Sequence, residues 1–330
     1  MFIKNIKEIK KLINYFNYIN IDYSNIESFC KNIDLDELII PQWREDVFLQ
    51  EESQKDVEFF ILINCLNFSF WNDPDLPKRE VEFNGKTYSG AFGLFASLKG
   101  AILDGYPLLD PLYLKCISEK DFNEILVKHE KYYSSYKHKN TLIPMFKERL
   151  DILHEIGSIL VEKFDRKFLK IIKWADNSSI KLIQILMEFP SFKDTVFYFD
   201  RFFNIYKKAQ LIPAMLYGRY NGKYWGKFND IDELTIFADY RVPQTLRIFD
   251  LVKYSPSLDN KINEKQEIIQ NSKEEIEIRL SSIFTCELII DILKNRQKGI
   301  NALNIDFYFW KKGKTINSSI EHHRTRTIFY

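Results

Sequence analysis

Acids set among apolar and aromatic neighbours are the first places to look for chemistry, because a poorly solvated carboxylate acts on nearby charge far more strongly than one in bulk water. Two such stretches stand out. In Leu234-Thr235-Ile236-Phe237-Ala238-Asp239-Tyr240-Arg241-Val242-Pro243-Gln244, the acid Asp239 lies just ahead of a proline able to start a helix. Two readings of Asp239 stand side by side: a helix cap or ion-pair partner of Arg241, or a catalytic carboxylate at a helix entrance. In Asn304-Ile305-Asp306-Phe307-Tyr308-Phe309-Trp310, one acid precedes four aromatics. Such a run packs a core by default. Stacked rings beside a carboxylate also suit a purine-like base, whose faces the rings cover and whose edge hydrogens the acid accepts.

Two small cationic clusters add to these. Lys207 and Lys208 fall within Ile205-Tyr206-Lys207-Lys208-Ala209-Gln210, and Arg324 and Arg326 within the stretch from His322 to Tyr330. Each reads as a solvated face or as a clamp for a single phosphate. Glycine-rich dinucleotide and phosphate loops, a nucleophile elbow and the His-Glu-x-x-His zinc motif are all missing. The histidines, at 129, 138, 154, 322 and 323, pair at no metal-ligand spacing except the adjacent last two, whose side chains diverge. Cys30, Cys65, Cys116 and Cys286 are scattered and suggest neither a zinc cage nor a disulfide framework. Neither a metal nor a cofactor is expected.

The elements that must position these residues are mostly helical. Ile3, Ile6, Ile9, Leu12, Ile13 and Phe16 recur at helical spacing between Phe2 and Tyr18. Further helices are predicted from about Asp56 to Leu66, from Gly90 to Leu103 and from about Thr141 to Phe164. Others are predicted over 177–188, 201–217 and 241–252. The longest starts at Ser272, which forms a capping pair with Glu275, and runs to about Leu293. Asn84-Gly85 between Val81-Glu82-Phe83 and Lys86-Thr87-Tyr88 predicts a two-residue hairpin near residues 80–88. The polar stretch from Ser257 to Ser272 is the best candidate for an exposed segment. The fold class is therefore mainly α.

The 330 residues, 45% hydrophobic and 15% aromatic, suffice for one large domain or two intimate ones. No repeat or linker divides them. A single domain over 1–330 is expected, with a possible N-terminal subdomain over 1–140 and a catalytic helical core over 141–330. With 47 Lys and Arg against 46 Asp and Glu the net charge is +1, so no basic field awaits a polyanion, and a small substrate fits better than a nucleic-acid partner. Neither a signal peptide nor a membrane span is predicted, and a cytoplasmic home is expected.

Several segments, in order, resemble the queuosine 5'-phosphate N-glycosylase/hydrolase family of queuosine salvage proteins. They are Leu66 to Trp71, Gly85 to Gly90, Phe189 to Asp194, Tyr206 to Gln210, Thr235 to Gln244, Glu275 to Arg279, Glu287 to Ile289, Asp306 to Trp310 and His323 to Arg326. The likeness covers the chain from about residue 60 onward. It implies a compact helical fold similar to the helix-hairpin-helix DNA glycosylases, acting on a free nucleotide, queuosine 5'-monophosphate, to release queuine. It maps a catalytic carboxylate onto Asp239 and base-pocket positions onto Phe237 and Asp306, with the adjoining Phe307 and Trp310. Tyr240 is taken with the substrate-binding residues, and Lys207, Lys208 and Arg324 as candidates to hold the phosphate. One departure is visible: the family's pocket carries a His just after a Trp in the N-terminal third, whereas Trp43 is followed here by Arg44, Glu45, Asp46 and Val47. Two other readings are a DNA-repair-type glycosylase and a non-catalytic protein that binds queuine or modified tRNA.

Overall fold

The computed structural model describes residues 6–51, 53–74, 76–131 and 141–330; Phe2, Ile3 and His138 of the sequence reading lie outside them. The described residues form fourteen α-helices and three two-stranded antiparallel ribbons. Most predicted helices are present, at Ile6–Leu12, Gln54–Cys65, Gly90–Leu103, Phe146–Lys163, Ser179–Leu186, Arg241–Ile248 and Lys273–Lys294. The hairpin pairs Glu80–Phe83 with Lys86–Ser89, turning through Asn84 and Gly85 at φ 49° and 72°, the left-handed conformations that a tight hairpin turn demands.

Three expectations change. Residues 201–204 are strand rather than helix: Thr195–Tyr198 pairs with Arg201–Asn204, and the helix starts only at Lys207. The run Thr195-Val196-Phe197-Tyr198 is β-branched and aromatic, and Phe199 and Asp200 both take positive φ, so this is a second tight hairpin. The helix at 241 ends at Ile248, and Val252–Tyr254 pairs instead with Ile19–Ile21. The polar stretch after Ser257 is not wholly exposed: Ser255 caps a helix over Pro256–Asn263 that buries Leu258 and Ile262.

The chain divides into two compact units, one of residues 1–41, 194–214 and 230–330, the other of residues 42–193 and 215–229. In the first, the core gathers around Lys273–Lys294. That 22-residue helix is buried on nearly every side, and Ile276, Leu280, Ile283 and Ile290 reach apolar residues of the N-terminal helices, the ribbons and the helix Ala302–Thr315. Because it is buried almost all round, its charged residues included, it is a central rod rather than a surface helix. Its Glu277 accepts the N–H groups of Asn17 and Tyr18 at 3.0 and 2.8 Å and the Tyr198 hydroxyl at 2.5 Å, tying both ribbons of this unit to the rod.

In the second unit, Arg219 is the main polar staple. Its Nε donates to Asp56 at 2.8 Å and its terminal nitrogens donate to the carbonyls of Trp43 and Leu49 at 2.9 and 2.7 Å, all fully buried. Arg149 does the same for the carbonyls of Leu66, Phe68 and Ser69. Backbone groups of irregular segments that a helix or sheet would have satisfied are met here by guanidinium forks.

Candidate active site

The segment before Arg241 is irregular backbone fixed from both sides. Thr235 N–H donates to Gln210 Oε1 at 2.8 Å, and Gln210 Nε2 donates to Thr235 Oγ1 at 3.0 Å. Phe237 N–H donates to Asp306 Oδ1 at 2.7 Å. Two residues further, Asp239 Oδ1 accepts the N–H groups of Arg241 and Val242 at 2.7 and 3.2 Å. It thereby satisfies two donors that the first turn of Arg241–Ile248 would leave over. The cap reading of Asp239 thus describes one of its oxygens. The other, Oδ2, accepts no hydrogen bond from the described residues. The side chain is half-buried.

Asp306 sits in the helix Ala302–Thr315, which begins with a capping box of Asn301 and Asn304. It is 3% exposed. Burial pushes its carboxyl well above the usual carboxylate range, and the negative charge of Asp239 pushes the same way, against the Phe237 N–H and the Lys207 cation. Lys207 opens the helix Lys207–Arg219 and is buried as well. Burial pushes its ammonium down, while Asp239 first and Asp306 second favour its charged form. Asp239, Asp306 and Lys207 therefore act on one another as a single electrostatic group.

Rings line this group. Phe237 and Phe307, both buried, lie 5.8 Å apart, tilted by 56°. Trp310 is one helical turn beyond Asp306, on the same side, half-buried with Lys314 Nζ 4.2 Å from its ring centroid. The helix of Asp306 comes very close to that of Arg241. A Cβ on Gly313 would collide with Thr245 Oγ1 and Arg241 Cδ, so only glycine permits this crossing. The Gly313 carbonyl also accepts from Arg241 at 3.3 Å.

Tyr240 lies at the entry of the Arg241 helix with its ring against His322, centroids 4.7 Å apart and tilted by 37°. Burial holds His322 down to about 4, and the charges of Arg241 and Arg324 act in the same direction. Arg324, half-buried, pairs through its backbone with residues 267 and 268. The structure thus brings Phe237, Asp239, Asp306, Phe307 and Lys207 together, and adds Tyr240 and Arg324 through His322. Lys208 is buried one position past Lys207, about 100° further round the helix.

Sequence reasoning did not single out the support beneath these residues. Arg279 donates to Asp194 through both terminal nitrogens, at 2.8 and 2.6 Å, and through Nε to the carbonyl of Ala238 at 3.0 Å. Its guanidinium lies 4.3 Å from the Tyr330 ring centroid, and Tyr330 in turn donates its hydroxyl to Glu275 at 2.9 Å. The available signal was Glu275, Glu277 and Arg279 alternating with the apolar residues Ile276, Ile278 and Leu280, since buried charges need partners.

A carboxylate with one oxygen spent on backbone donors and the other open, beside a ring wall and a second acid, can stabilise positive charge developing at a sugar carbon while its base is held edge-on. Among known proteins, residues 47–330 match the family described as queuosine salvage protein. A protein of Sphaerobacter thermophilus named queuosine 5'-phosphate N-glycosylase/hydrolase is 32% identical over 312 residues, covering 94% of this chain and 92% of its own. Proteins of the same name from Bos taurus and Schizosaccharomyces pombe are 34% identical over 286 residues and 32% over 266. They cover 83% and 78% of this chain and 81% and 75% of their own.

Proposed function

The chain belongs to the queuosine salvage protein family, and on that premise we propose that it hydrolyses the N-glycosidic bond of queuosine 5'-phosphate to release queuine. The observation that carries the residue roles is the two-sided use of Asp239: Oδ1 is locked by two backbone donors while Oδ2 is left without one. A carboxylate so anchored needs no reorganisation as the C–N bond stretches and positive charge spreads over the anomeric carbon and ring oxygen. Water then adds to that carbon, directly or after a transient ester to Asp239, and the base departs with a proton.

The leaving base is a 7-deazaguanine, with carbon where guanine has N7, so help to the departing group must come from its pyrimidine edge. Asp306 is the group for that edge, and Phe237, Phe307 and Trp310 supply ring faces worth about 1–3 kcal/mol per stacked base. Lys207 is buried, and the charges of Asp239 and Asp306 both favour its cation, so it serves better as a counter-charge within this group than as a phosphate holder. The phosphate falls to Arg324, with Tyr240 on the substrate side of His322 and Lys208 as the second candidate.

Purified protein incubated with queuosine 5'-monophosphate should release queuine, followed by chromatography, and Asp239→Asn should lower kcat by at least about 100-fold, the scale of losing one transition-state charge interaction. A folded Asp239→Asn protein turning over at the wild-type rate refutes the assignment. No release by the wild type refutes the activity.

A further inference from the structure

Asp194 joins two separate pieces of the first unit, the segment 205–207 and the central helix. Its backbone carbonyl accepts the N–H groups of Ile205 and Tyr206 at 3.0 and 3.1 Å. Its Oδ2 accepts the N–H of Lys207 at 3.2 Å, at the very start of the Lys207–Arg219 helix. Both carboxylate oxygens receive Arg279, at 2.8 and 2.6 Å. The remaining nitrogen of the same guanidinium, Nε, reaches the carbonyl of Ala238, the residue before Asp239. One planar fork on the central rod therefore holds, at once, the backbone that presents Asp239 and the carboxylate that starts the helix presenting Lys207.

The fork is itself immobilised. Tyr330 lies under the guanidinium plane, Glu275 approaches it at 3.5 Å one helical turn back, and Arg279 and Asp194 are 1% and 2% exposed. Tyr206, between the hairpin and Lys207, is held at φ 50°, a conformation an aromatic residue adopts only under constraint. A buried ion pair is seldom better for stability than well-packed apolar residues of the same volume. What an apolar pair cannot supply is a fixed set of angles between two backbone segments, which a rigid five-donor guanidinium does supply.

We infer that Asp194 and Arg279 are positioning residues for the hydrolysis: they set the separation of Asp239 from Lys207 without touching the substrate. The inference rests on the catalytic reading of Asp239 given above. Arg279→Lys keeps the charge but loses the fork, since one ammonium cannot reproduce three coplanar donors. Asp194→Asn keeps the shape and an acceptor for Lys207 but loses the charge and one acceptor site for Arg279. Because both changes are small, at least the isosteric Asp194→Asn protein is expected to fold. Tyr330→Phe is the control, removing the bond to Glu275 while leaving both arms of the clamp.

The measurement is kcat and KM for queuosine 5'-monophosphate per folded molecule, with each variant assayed well below its own unfolding midpoint. The expected result is a kcat lower by about 30-fold or more in both clamp variants, KM within about threefold of wild type, and Tyr330→Phe within about threefold in both constants. A purely structural pair would lower the midpoint and leave kcat per folded molecule unchanged; a kcat within threefold in folded Asp194→Asn therefore overturns the inference, as does an effect confined to KM. A wild type that releases no queuine would instead strike at the activity itself, a different failure from an active wild type with an equally active Asp194→Asn.

Discussion

At the scale of single residues, Asp239 carries the cap, and the proposed catalytic role is compatible with it. The bonds from Arg241 and Val242 N–H use one oxygen, which leaves the other for the proposed chemistry. The two roles separate by substitution. Asparagine keeps an oxygen for the Arg241 and Val242 donors, so Asp239→Asn should unfold at nearly the wild-type midpoint although inactive. Asp239→Ala loses the cap too and should be less stable by about 1 kcal/mol. Equal midpoints for the two would mean that the cap contributes nothing. Asp306 admits the same dissection. Alanine there leaves the Phe237 N–H buried without its acceptor, costing about 1–3 kcal/mol, whereas asparagine retains an acceptor and should chiefly raise KM. Urea unfolding beside steady-state kinetics tests this, and an Asp306→Ala protein as stable as wild type would discount the bond. Both acids were visible in the sequence because each interrupts an apolar or aromatic run. Arg279 and Asp194 fall in segments that carry the resemblance, but their pairing was not legible, since 85 positions separate them and only folding joins them.

At the scale of elements, local pattern succeeded where it was strong and failed where two codes overlap. The helix Gly90–Leu103 and the hairpin at Asn84-Gly85 follow from apolar density and turn chemistry alone. Residues 201–204 were misjudged because their aromatics fit either period, and the turn that decides the matter, Phe199-Asp200, lacks the usual glycine. Polar staples were equally hidden, since nothing near Arg219 announces that it will gather carbonyls from residues 43 and 49. Removing it should be severe. Arg219→Met leaves Asp56, whose carboxyl burial already pushes upward, without its cation, and a loss of about 3–5 kcal/mol is expected. Chemical denaturation measures it directly, and a loss below about 1 kcal/mol would mean that the staple is dispensable.

At the scale of the whole molecule, the near-balance of charge hides buried ionisable groups that contribute to the pH dependence of stability. Burial lowers His322 to about 4 and holds His323 well down, both from an ordinary value of 6.5. Between roughly these values the unfolded chain binds protons that the folded chain refuses, so this contribution makes stability fall as pH drops from 6.5 toward 4 and vanishes above 6.5. The unfolding free energy should therefore decline below neutrality, and decline less steeply in His322→Gln; identical slopes would remove His322 from the account. Composition and charge had already argued for a small ligand over a polyanion, but the division into two units that each draw on several stretches of chain leaves no single linker to read, and one boundary falls inside the helix Lys207–Arg219. That interleaving bears on how the molecule is made. Strand Ile19–Ile21 finds its partner only at Val252–Tyr254, and the N–H groups of Asn17 and Tyr18 are received by Glu277, some 260 positions later. A ribosome working from the N-terminus exposes this early ribbon long before the chain that completes it has emerged. During synthesis an unpaired edge must wait, shielded by chaperones or at risk of pairing with a neighbouring nascent copy.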